Sequence, residues 1–107
     1  MPRSETVRML LDTGASDTAI APAIAQRLGL RVLGLHDVSG FGASGSAYQY
    51  IADLELHLGA DRYPLPDHRM LIFRTDYEKI DGLIGRDILS LGRFLLDGPN
   101  RSFTLEF

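Results

Sequence analysis

Leu10-Leu11-Asp12-Thr13-Gly14-Ala15-Ser16 is the stretch on which the reading of this chain turns. The two leucines read as the end of a buried strand, and an acid follows at once in a turn of small and hydroxylated residues. A carboxylate so placed can accept backbone N–H bonds, and Gly14 lets another chain approach closely. The same residues also suit an aspartate that merely caps a turn and satisfies local amides. Three-residue matches arise often by chance, so the surrounding segments have to decide between the two.

Working outward, Ile80-Asp81-Gly82-Leu83-Ile84-Gly85-Arg86-Asp87-Ile88-Leu89 reads as a short apolar strand ending in glycine, with a helix straight after it. Ser39-Gly40-Phe41-Gly42-Ala43-Ser44-Gly45-Ser46 is a glycine-rich tip directly before a long strand. That strand runs from Tyr48 to Leu58: Tyr48, Tyr50, Ala52, Leu54, Leu56 and Leu58 alternate with polar positions, and only Ile51 breaks the pattern. A second alternation places Phe103, Leu105 and Phe107 on one face, after Phe94 to Asp97 and the turn Gly98-Pro99-Asn100-Arg101. This predicts a C-terminal β-hairpin. Helix is scarce. Pro22 opens one, Ile20, Ile24 and Leu28 share a face, and Gly29 stops it. A second short helix is expected from Arg86 to Leu91, ended by Gly92. Tyr63 to Pro66, with two prolines, reads as a turn or a sheet edge. The expected class is mostly β with one or two short helices.

Composition sets the outer bounds. The chain has 107 residues, of which 45% are hydrophobic and 23% charged, enough to bury a core as one domain spanning residues 1–107. Eleven Lys and Arg against fourteen Asp and Glu leave a net charge of -3, which argues against a nucleic-acid partner. Ten of the eleven basic residues are Arg, a hint of GC-rich bacterial coding. The longest apolar run, Ala19 to Ala25, is too short to span a bilayer, and no charged-then-apolar segment opens the chain. The location stays open between a cytoplasmic protein and a soluble domain released from a longer precursor. Without cysteine there is no disulfide framework or thiolate zinc site. His36, His57 and His68 fall at no metal-ligand spacing and read as surface residues, so neither metal nor cofactor is expected.

Gly40-Phe41-Gly42-Ala43-Ser44-Gly45 also fits the G-x-G-x-x-G dinucleotide fingerprint. That motif needs a helix immediately after it to face the pyrophosphate, and here a strand follows. A mobile hairpin tip or an ordinary loop accounts for it better. Ser16 sits in no G-x-S-x-G elbow and has no histidine partner by pattern.

Together, the D-T-G-A turn, the glycine-rich hairpin after it and the apolar-apolar-Gly-Arg-Asp stretch make the chain resemble the retropepsin-like aspartic proteases. All three occur in the family's order and cover nearly the whole chain. The resemblance implies a closed β-barrel or sandwich with a flap hairpin, active as a C2 homodimer. It implies an aspartic endopeptidase in which Asp12 from each subunit activates a water against an extended polypeptide substrate. Thr13, Gly14, Ala15 and Ser16 would support the active-site loop. Gly40, Phe41, Gly42, Ala43, Ser44 and Gly45 would form the flap over the peptide, and Ile84 would line a side-chain pocket. Viral members often carry an acid where this chain has Ser16, paired with the equivalent of Arg86. Arg86 here either orients the loop or is a solvated helix-start residue. Only Met1 to Met9 precede Leu10, so either the C-terminal hairpin, as in cellular members such as the DNA-damage-inducible ubiquitin-shuttle proteases, carries the dimer interface, or residues ahead of Met1 have been removed. The alternative is a weak or inactive retropepsin-like module for peptide binding or dimerisation.

Overall fold

The computed structural model describes residues 3–40, 43–72 and 79–107, with the backbone alone for 35–40 and 43–47. In chain order the elements are β1 (Met9–Leu11), β2 (Ala19–Ile20), α1 (Pro22–Leu28), β3 (Arg31–Gly40), β4 (Ala43–Leu58), β5 (Asp61–Ile72), β6 (Gly82–Ile84), α2 (Arg86–Leu89), β7 (Arg93–Asp97) and β8 (Ser102–Glu106). The protein is therefore mostly β with two short helices among the described residues.

The alternation from Tyr48 to Leu58 becomes the second half of β4, with Leu54, Leu56 and Leu58 half-buried and Asp53, Glu55 and His57 exposed. Its partner β5 runs antiparallel, pairing Leu54 with Leu65 and Leu56 with Tyr63. The stretch with two prolines is thus strand, not turn. It lies at a sheet edge, because β5 pairs on its other side with β2 only at Leu71 and Ile72. Proline lacks the N–H that an inner strand must donate, which suits this edge.

Between the pairs Ala52↔His68 and Leu54↔Leu65 the register slips, so Pro66 and Asp67 oppose the single residue Asp53. Asp67 takes a φ of 50° there and its N–H donates to Asp53 Oδ1 at 2.9 Å. An extra residue reverses which side chains face inward. Tyr63 and Leu65 point to the core before the bulge, and His68 and Met70 after it.

Helix α1 forms where expected. Pro22 stands at its first turn, Ile24 and Ala25 are buried, and Gly29 closes it at a φ of 61°. The N–H groups of Gly29 and Leu30 reach back to the carbonyls of Gln26 and Ala25, which satisfies the helix end. Helix α2 stops at Leu89, two residues short of the expected end. Leu91 and Gly92 donate to Ile88 and Leu89, so the chain leaves the helix through tighter three-residue closures.

The main sheet has the order β1-β6-β2-β5-β4-β3, and β7 and β8 form a separate antiparallel pair. It is not closed into a barrel, in contrast to the expectation. β1 and β3 are its two edges and do not pair with each other. The C-terminal hairpin forms its own two-stranded sheet instead of joining an edge. Phe94, Leu105 and Phe107 from this hairpin pack on the buried cluster of Leu65, Ile84, Ile88 and Leu89. Ile20, Ile24 and Met70 make a second cluster beneath α1.

Strand β6 slots between β1, to which it is parallel, and β2, to which it is antiparallel. These are the strands on either side of Asp12. This arrangement fixes both ends of the intervening turn on one scaffold. β3 and β4 form an antiparallel hairpin, pairing from Arg31↔Ile51 out to Gly40↔Ala43.

Candidate functional site

Asp12 follows β1 directly, and its N–H donates to the Ile84 carbonyl at 2.9 Å, continuing the β1–β6 ladder by one residue. The chain then turns. Ala15 N–H returns to the Asp12 carbonyl at 3.2 Å, and Gly14 N–H donates to Asp12 Oδ1 at 2.9 Å. Asp12 is half-buried, while Thr13 and Gly14 are exposed. The carboxylate is held by the turn with an open side toward solvent.

Helix α2 supports this turn from below. Arg86 N–H donates to the Ala15 carbonyl at 2.8 Å and Asp87 N–H to the Ser16 carbonyl at 3.3 Å. The Arg86 guanidinium donates from Nη1 to the Thr13 carbonyl at 2.8 Å. Of the two readings of Arg86, the structure supports loop orientation. Its bond goes to main chain and not to Ser16, whose hydroxyl donates to Asp17 Oδ2 at 3.1 Å. Gly85 lets helix and turn meet this closely, since a Cβ there would lie 2.7 Å from the Asp17 carbonyl oxygen.

Three residues that the sequence reading did not assign to the site tie this assembly together. Thr18 is completely buried. Its hydroxyl accepts from Gly85 N–H at 3.1 Å and donates to Asp87 Oδ1 at 2.7 Å. Asp87 also receives Thr18 N–H on Oδ2 at 3.1 Å and Ile88 N–H on Oδ1 at 2.9 Å. The remaining contact, at 2.9 Å, is between Asp87 Oδ2 and His68 Nε2. With donors converging on Asp87 from main chain and hydroxyl, the carboxyl is the acceptor of this network, which assigns the donor role in the His68 contact to Nε2. His68 is therefore no surface histidine, although His57 is exposed as expected. Asp87 stands in the stretch quoted above. Nothing in the spacing of His68 points to it, since only the bulge turns it inward.

The other expected site residues are less gathered. Ile84 is buried in the core cluster with Leu65, Ile88 and Leu89, and reaches the turn through its carbonyl. Gly40 ends β3, while Ala43, Ser44 and Gly45 begin β4, paired across to Gly40, Ser39 and Val38. Phe41 and Gly42 lie outside the described residues. Among the described residues, no three His, Cys, Asp or Glu side chains come together as a metal site would require. Nor is any helix long and apolar enough to cross a membrane.

A hollow lined by Arg93, Phe94, Leu95, Thr104 and Glu106 and another at Leu58, Arg62, Tyr63 and Phe107 border the C-terminal hairpin. Neither includes a residue of the Asp12 turn. A half-buried carboxylate oriented by a turn amide at a strand end can bind or polarise a water. One such group cannot serve as acid and base at once.

A family model described as aspartyl protease matches residues 3–88, from before β1 to the middle of α2. Among curated proteins none matches. The match takes in the Asp12 turn, the β3–β4 hairpin and the strand and helix that hold the turn, and leaves out only the C-terminal hairpin among the major elements. The chain belongs to the retropepsin-like aspartyl protease family.

Proposed function

We propose that the protein is an aspartic endopeptidase that works as a C2 homodimer, each copy supplying one Asp12. The observation that carries this reading is the Asp12 turn itself. Its carboxylate is oriented by Gly14 N–H, anchored through the Ile84 carbonyl and open on one side, in a member of an aspartyl protease family. Acid proteolysis needs two carboxylates about 3 Å apart sharing one proton. The sequence has one Asp-Thr-Gly turn, so a two-fold axis beside Asp12 is the economical way to supply the second.

In that dimer the ionised Asp12 accepts a proton from water as the water oxygen attacks the scissile carbonyl carbon. The protonated Asp12 donates its proton to the carbonyl oxygen, giving a tetrahedral diol. Collapse of the diol breaks the C–N bond, with a proton delivered to the leaving nitrogen. No covalent intermediate with the enzyme forms. Thr13 hydrogen-bonds across the axis, and Gly14 offers its backbone to the peptide. The segment Gly40 to Gly45 closes over a substrate bound as an added strand. Ile84 serves chiefly through its carbonyl, since its side chain is committed to the core.

The test is Asp12→Asn, which is nearly isosteric but leaves the dimer no carboxylate to take the proton. The variant folds and dimerises as the parent does, and peptide cleavage disappears. Wild-type cleavage follows a bell-shaped pH profile whose limbs belong to the pair. Cleavage that survives in a clean Asp12→Asn preparation overturns the assignment.

A further inference from the structure

His68 is about fifty residues away in sequence from the Asp12 turn, yet it is one bond from the group that holds it. The side chains of His68 and Asp87 are 18% and 22% exposed, so their 2.9 Å contact is largely shielded from water. A hydrogen bond to an ionised acceptor in such surroundings is stronger than a neutral one. Asp87 is the hub. Its carboxyl takes both the N–H and the hydroxyl of Thr18, and its own N–H holds the Ser16 carbonyl. Without His68, Asp87 Oδ2 keeps only the 3.1 Å bond from Thr18 N–H, and the carboxyl is freer to rotate. The bulge at Pro66 and Asp67 is what puts His68 on this face, so an irregularity in a distant strand reaches the turn through a single side chain.

We propose that His68 is a positioning residue: through Asp87 it fixes Thr18 and Gly85, and with them the turn that presents Asp12. Its kinetic consequence rests on the endopeptidase reading, while the positioning itself does not. His68 touches no reacting atom, so its loss acts on the placement of Asp12 and hence on turnover more than on peptide binding.

The experiment compares wild type, His68→Leu and His68→Gln by amide hydrogen exchange and by peptide cleavage. Leucine keeps bulk without a donor, and glutamine restores an N–H. In His68→Leu the Thr18 and Gly85 amides exchange about ten-fold faster relative to those of the β4–β5 ladder, and kcat falls about ten-fold with KM within about two-fold. His68→Gln recovers most of both effects. Unchanged exchange at Thr18 and Gly85, or a glutamine variant no better than leucine, overturns the proposal. Should the leucine variant not fold, nitrogen-15 spectra of the wild-type imidazole decide: a proton on Nε2 supports the bond, and a neutral ring protonated only on Nδ1 overturns it. A wild-type protein that cuts no peptide sinks the endopeptidase reading alone, and the exchange data still decide the role of His68.

Discussion

Thr18 is the residue whose chemistry is most tightly specified. One hydroxyl, itself fully buried, accepts from Gly85 N–H and donates to Asp87. Thr18→Val keeps the shape and removes both, leaving a buried N–H and a carboxylate oxygen short of partners. It lowers stability by about 1–3 kcal/mol, seen as a lower urea midpoint at unchanged slope. Thr18→Ser, which keeps the hydroxyl, recovers most of that loss. At the surface, Glu5 is held below its ordinary carboxyl pKa, chiefly by hydrogen bonds from the Arg27 guanidinium that outweigh its slight desolvation. The sign follows directly. A lowered folded pKa gives stabilisation that is present above the unfolded value and is lost as pH falls through the lowered one. This links the segment before β1 to the last turn of α1, where Arg3 also donates to the Arg27 carbonyl. Carboxyl titration by NMR finds Glu5 below the usual range in wild type. In Arg27→Met it returns to the ordinary value, and an unmoved Glu5 would show that the ion pair is not formed in solution.

At the level of elements, α1 was the easiest to read because both its ends are written in residue types. Pro22 needs no N–H in a first turn, and Gly29 takes the left-handed conformation that its φ of 61° demands. Gly29→Ala places a Cβ in that conformation and costs about 1–2 kcal/mol, measurable as a lower melting temperature; a neutral result would mean that the helix end rearranges. The long β4 and the C-terminal hairpin were legible for a similar reason, since period-two alternation survives wherever one face is dry. The catalytic candidate was legible as well, because Asp12-Thr13-Gly14 is local in sequence. What could not be read is whatever depends on register. Two prolines in Tyr63 to Pro66 signalled an edge but not the bulge, and the bulge alone decides that His68 faces inward. Closure of the sheet was equally out of reach: it depends on which strands end up at the two edges and on where β7 and β8 pack, neither of which is a property of any one segment.

Across the whole molecule the hairpin of β7 and β8 is only partly covered by the rest of the chain. Phe94 and Leu105 form a cross-strand pair and pack on the core, and the Phe107 ring lies tilted against Tyr63 with ring centres 5.0 Å apart. Leu96 and Phe103, the next pair on that same face, overhang the core and are 70% and 58% exposed. Leu95 is 64% exposed on the opposite face, across from Thr104. A dimer formed through the hairpin would cover the overhang, which makes Leu96 the informative position. Leu96→Glu changes an exposed side chain, so the fold of one copy survives within about 0.5 kcal/mol. Burying that charge against a second copy without a partner is costly. The variant is therefore expected to sediment as a folded monomer and to lose cleavage, because two Asp12 turns no longer meet. Leu95→Glu, on the other face, remains dimeric and active. Deleting Ser102 to Phe107 is the harsher change: it takes Leu105 and Phe107 from the core and gives a monomeric or misfolded chain. Dilution tests the same interface without mutation: wild-type activity is expected to fall faster than linearly near the dimer dissociation constant. A Leu96→Glu protein that still sediments as a dimer and still cuts peptide would place the interface on another surface and leave the exposed end of the hairpin without a role in assembly.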